Sequence, residues 1–250
     1  MAHRLSMTCG LLVSMCLPST LFGQTAHYRD ESASDLVEQF KSETVFWKQI
    51  DLAKKIVALG DKRVLRDLEP LLGNEDRHLR GNAAFVFAGL GDDRGFEVIN
   101  RILNDRSVRP PGQGASMIEG SEEDLRNPPP QLQIAADRYY AAHLFGDLKD
   151  ARAVPILVPL LKDKEVNSVV PWSLAQIGDK SAIPPLIETL DDESPDMRVL
   201  AIYALEQLDA KEALPKIRAL LHDHETIHFD GLGPVSDAAS KGVIKLEQKP

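Results

Sequence analysis

Three of the seven histidines in this 250-residue chain, His222, His224 and His228, fall inside the stretch LLHDHETIHFDGLG, interleaved with Asp223, Glu225 and Asp230. Side chains alternate along an extended segment, so the three imidazoles and Asp230 share one face there. Such a donor set suits zinc, and it makes a metal-dependent, hydrolytic protein one reading of the chain. The same histidines also suit a helix C-terminus, where the macrodipole favours cations. The elements that position the stretch decide between a metal centre and a decorated loop.

Those elements repeat. The segments beginning at 56 (IVALGDKRVLRDLEPLL), 86 (VFAGLGDDRGFEVINRIL), 145, 174 and 205 each read as the end of an apolar helix, a short Gly/Asp turn and a second helix, often with Pro near its start. Proline is tolerated in a first turn because the N–H it lacks has no helical partner there. The turn position is held by Asp61, Asp92, Asp150, Asp179 and Ala210, at spacings of 31, 58, 29 and 31 residues. A period near 31 with two helices per unit is the signature of an α-solenoid, and the long interval is one period plus an insertion.

The helix before each turn carries its own pattern. RGNAAFVFAGLG (80–91), RYYAAHLFGDLK (138–149) and RVLAIYALEQLD (198–209) superimpose without gaps, and NSVVPWSLAQIG (167–178) keeps the frame. Ala83, Ala141 and Ala201 let neighbouring helices approach closely. These residues resemble HEAT-like repeats of the short kind also found in phycobilin lyase subunits, over about residues 45–248. Asn167 and Ser236 depart from the family's Arg, and Ala210 from its turn Asp. The resemblance implies an all-α, right-handed solenoid of six helix pairs, at 34–60, 61–91, 92–149, 150–178, 179–209 and 210–248. It further implies a protein-binding scaffold whose second helices line a concave groove.

The sixth position of each second helix, counted from the Arg place, is Lys54, Phe85, His143, Trp172, Tyr203 and Lys241. With Tyr139 and Tyr140 one turn before His143, this column predicts a partner-binding stripe of Phe85, Tyr139, Tyr140, His143, Trp172 and Tyr203. Clustered aromatics in a concavity are typical of binding hot spots. The alternative is that these rings pack between repeats as ordinary core. Residues 105–131, rich in Pro and Gly, read as a loop insertion, functionally a flap that meets a partner through Arg106, Arg109 and Met117. The histidine stretch falls in a second insertion, at 222–233, inside the last repeat.

Residues 1–23 have the order of a secretory signal peptide, with Arg4, an apolar run from Gly10 to Leu17, then Pro18 and Gly23. They are followed by a polar lead-in at 24–33. Export to the periplasm or medium is therefore expected. Both cysteines, Cys9 and Cys16, lie in that segment, so the exported chain would have no disulfide or thiolate site. Without Arg4, 28 basic residues face 38 acidic ones, a balance that excludes general binding to nucleic-acid backbones. No G-x-S-x-G, P-loop, G-x-G-x-x-G or H-E-x-x-H occurs. The His-Glu pairs of deoxyhypusine hydroxylase, an iron enzyme built as a solenoid, recur here only at His224-Glu225. Lyase-type handling of a chromophore conflicts with export. The sequence thus points to a non-enzymatic scaffold that binds a protein or peptide without a cofactor. A zinc protein, or a regulatory or assembly subunit of an envelope enzyme complex, are the alternatives.

Overall fold

The computed structural model describes residues 32–108, 129–228 and 233–248. The signal-peptide and lead-in readings, most of the first insertion (109–128, with Arg109 and Met117) and residues 229–232, with Asp230, lie outside the described residues. The architecture is an all-α solenoid of six helix pairs, with no strand among the described residues. None of its described helices is long and apolar enough to cross a membrane.

Among the described residues run twelve α-helices: α1 (Ala33–Ser42), α2 (Phe46–Leu59), α3 (Leu65–Leu68), α4 (Arg77–Gly89), α5 (Asp93–Asn104), α6 (Pro130–Leu148), α7 (Val154–Leu157), α8 (Val170–Ile177), α9 (Ile183–Thr189), α10 (Pro195–Gln207), α11 (Leu214–Ala219) and α12 (Val235–Gln248). Odd-numbered helices open each pair and even-numbered ones close it. The openers α3, α7, α9 and α11 are short and each follows a 3-10 turn, whereas α5 is a continuous helix of 12 residues. Proline explains the difference. Pro70, Pro155, Pro159, Pro184, Pro185 and Pro215 each remove a backbone donor from an opener, and α5 contains none. Pro130, read from sequence as part of the first insertion, instead starts α6 from the tolerated first-turn position.

The turn aspartates act as caps. Asp61, Asp92, Asp150 and Asp179 each accept a hydrogen bond from the backbone N–H two residues on, the local bond that makes Asp a good helix starter. Arg63, Arg94 and Arg152 fork back onto the first three of these carboxylates. Ala210 has no side chain to do this and makes no cap. Helices α2, α4, α6, α8 and α10 are each followed within two residues by one in the left-handed region. Gly60 (φ 70°) and Gly178 (φ 78°) adopt it without strain, and Lys149 and Asp209 take φ 56° in the same place.

The even helices form one row, in which α2 packs on α4, α4 on α6, α6 on α8, α8 on α10 and α10 on α12. Ala83, Ala141 and Ala201 are fully buried between them, beside Phe87, Phe145, Leu174 and Leu205. Arginines stitch three of the repeats to the next. Buried Arg138 donates to Asp163 and Glu165 (both 2.6 Å) and to the Leu103 carbonyl. Arg198 donates to Asp223 (2.9 Å) and Glu225 (3.0 Å), and Arg77 to Asp105 and to Asp137 (both 2.7 Å).

Candidate functional site

The predicted stripe divides when it is placed on this row. Phe85 (4% exposed) and Tyr140 (5% exposed) are core residues, a correction to the expectation that they meet a partner. The Tyr140 hydroxyl donates to the Asn82 amide oxygen, and Asn82 in turn donates to Gln49 at 2.8 Å. A buried phenol needs a partner of this kind. Burial, with nearby Asp147 adding to it, holds its pKa far above the ordinary tyrosine range. Tyr139 is half-buried against the core. His143, Trp172 and Tyr203, one on each of α6, α8 and α10, stay partly exposed on the face of the even helices.

These three side chains belong to a polar and aromatic strip that the sequence reading only half identified. The His143 and Trp172 rings stack face to face, with centroids 4.1 Å apart and planes 22° apart. Four residues on from His143, one helical turn, Asp147 places Oδ2 3.5 Å from its Nδ1. The same oxygen takes Lys54 Nζ at 2.8 Å. Burial pushes the Asp147 carboxyl upward, yet the hydrogen bonds of His143 and Lys54 outweigh it and hold the group below the usual carboxylate range. Asp147 is therefore ionised at neutral pH.

Lys54 comes from α2, two helices away along the row. Adjacent helix axes lie about 8–10 Å apart, and the long Lys54 side chain reaches across α4 to Asp147. The strip continues to Tyr203, whose phenol is pushed up by burial and by Glu206, and to the Glu206–Lys245 pair at 2.7 Å. Periodicity could have revealed Asp147, because it occupies the tenth position of its helix, on the same face as His143. Its pairing with Lys54, 93 residues earlier, had no local signal.

The histidine stretch is arranged differently. Asp223 and Glu225, the carboxylates between the histidines, are the acceptors of Arg198. His222 and His224 are exposed. His228 is held away from them by Asp196 of α10, which accepts its backbone N–H at 2.7 Å and pairs with its Nδ1 at 2.8 Å. Among the described residues no three His, Cys, Asp or Glu side chains come together to hold a metal ion.

A family model for HEAT repeats matches residues 163–227. The phycocyanobilin lyase subunit alpha of Picosynechococcus sp. is 38% identical over 104 residues, covering 36% of this chain and 38% of that protein. The bilin biosynthesis protein PecE of Mastigocladus laminosus is 35% identical over 88 residues, covering 34% of this chain and 33% of its own length. PecE of Nostoc sp. is 29% identical over 156 residues, covering 61% and 54%. The chain thus spans between a third and just over half of the curated relatives it matches. Among solved structures, the complex of CpcE and CpcF of phycocyanin lyase from Nostoc sp. aligns with a TM-score of 0.48 at 22% identity, over 74% of this chain and 66% of that one.

These relatives overturn two expectations. They are named for a lyase subunit and for bilin biosynthesis, so neither a non-enzymatic scaffold nor the absence of enzymatic function stands. The objection to lyase-type chemistry rested on export, and hence on residues 1–23, outside the described structure. The chain is an all-α solenoid that matches HEAT repeats over residues 163–227 and is similar over part of its length to bilin-lyase subunits.

Proposed function

We propose that this chain is one subunit of a lyase-type enzyme complex and holds an open-chain tetrapyrrole on the concave face of its even helices. The observation that carries the reading is the His143–Trp172 stack beside an ionised Asp147. A bilin is a flat conjugated chain of pyrrole rings with N–H donors along one edge and carboxylate side chains on the other. Stacked imidazole and indole rings offer it a planar surface, and Asp147 offers its N–H groups an acceptor. Tyr203 extends the surface to the next repeat, and exposed Lys241 beyond it suits a carboxylate. The partner is a second protein subunit, in keeping with the subunit designation of the phycocyanobilin-lyase relative.

Titration of the purified chain with phycocyanobilin tests this. The pigment's visible band should shift and Trp172 fluorescence should be quenched, with Trp172→Ala weakening binding about tenfold, the scale of one stacked ring. Trp47→Phe, at the exposed second tryptophan, should bind like the parent. A parent chain that leaves the pigment spectrum unchanged would refute the reading.

A further inference from the structure

His143 is the one group in the strip equipped to move a proton. Imidazole gives and takes protons near neutrality more readily than other side chains. Here the ring is fixed on both sides: its face lies on Trp172 at 4.1 Å and its Nδ1 is directed at Asp147, 3.5 Å away. That leaves Nε2 as the nitrogen able to serve a ligand. Asp147 is in turn anchored by Lys54 from two repeats away, so the carboxylate cannot swing from the ring without breaking a second contact. Acceptor, imidazole and aromatic platform form a built arrangement of the kind that orients a general acid.

The charged groups around His143 are few. Asp147 stands on its own helix and Lys54 reaches in from α2. Helix α8 contains no ionisable residue. Helix α5, also packed on α6, commits Asp93 to Arg152 and Arg94 to Asp92 and Glu69.

We propose that His143 is the proton-transfer residue of the tetrapyrrole site, with Asp147 as its positioning residue; this rests on the bilin reading above. The step is balanced within the complex. The Nε2–H bond of the imidazolium breaks, and its proton forms an N–H bond at the imine-type nitrogen of the tetrapyrrole. The imidazole is left neutral and the pigment carries the positive charge, which the Asp147 carboxylate offsets across the ring. A cationic conjugated chain is a better electrophile, and a lyase working in the joining direction needs addition to that chain.

The test follows the visible spectrum of pigment bound to the full chain from pH 5 to pH 9, at saturating phycocyanobilin so that affinity changes do not enter. The protonated pigment absorbs at longer wavelength. Bound to the parent chain it should stay protonated to a pH about one unit or more above the free pigment's midpoint. His143→Gln should return that midpoint to the free value. Asp147→Asn should lower it and Asp147→Glu should restore it, whereas a purely structural role predicts equal effects of both on thermal unfolding and none on the midpoint. A His143→Gln chain whose bound pigment titrates like the parent's overturns the proton-transfer role and leaves binding intact. A parent chain that binds no pigment overturns both readings.

Discussion

Asp223 and Glu225 illustrate how far a side chain's role depends on what faces it. Between three histidines they look like metal ligands, but Arg198 holds both. A clue existed, since Arg138 and Arg198 each pair with an aspartate 25 residues on, in the matching loop of the next unit. Tyr140 teaches the same lesson for aromatics. It shares a helix with His143 but is turned into the core, where it supports Asn82 and, through it, Gln49. Tyr140→Phe keeps the packing and orphans a buried amide oxygen, so it should cost about 1–3 kcal/mol in urea denaturation. It should leave pigment binding unchanged, because the ring is buried.

At the scale of elements, close approach of helices sets the geometry. Gly95 on α5 lies against the backbone of α4, where an added Cβ would collide with the Ala84 carbonyl oxygen and the Ala88 nitrogen. Backbone cannot yield as a flexible side chain does. Gly95→Ala should therefore destabilise the chain by about 3 kcal/mol, at the upper end for overpacking. Its effect should appear as a lowered midpoint of chemical unfolding with an unchanged slope. Gly146 plays the corresponding part on α6, facing Trp172 and Ser173 of α8. It lets α8 come close enough for Trp172 to stack on His143.

Across the whole molecule, the repeats are joined by carboxylates that the structure keeps ionised. Asp105 and Asp163 are each pushed up by burial but held below the usual range by hydrogen bonds, chiefly from Ser107 and from Arg138 respectively. The turn caps Asp92 and Asp150 are lowered mainly by the Arg two residues on, and Asp61 likewise, to about 2. Depressed folded-state values stabilise the protein above the unfolded pKa of about 3.9 and lose that contribution as pH falls through the folded values. Thermal unfolding should therefore vary little from pH 6 to 8 as far as these groups contribute, and the midpoint should fall steadily below about pH 4. Because a solenoid's stability is a sum over neighbouring repeats, replacing Asp163 by Asn should lower the neutral-pH midpoint and flatten the acid decline. A parallel acid limb in that variant would show that the inter-repeat arginine contacts do not govern it.

The sequence by itself determined the solenoid. Helix periodicity, turn aspartates and proline placement are local signals, and a repeat displays them several times over, so fold and register were legible from Asp61 to Ala210. It also placed His143, Trp172 and Tyr203 in one column. Only the tertiary structure decided which members of that column face outward, because exposure depends on the neighbouring helices that cover each position: Phe85 is buried, whereas His143, Trp172 and Tyr203 stay partly exposed. The Lys54–Asp147 pair and the capture of Asp223 and Glu225 by Arg198 join residues 93 and 25 to 27 positions apart. Such pairings arise when repeats stack, and no periodicity within one repeat encodes them.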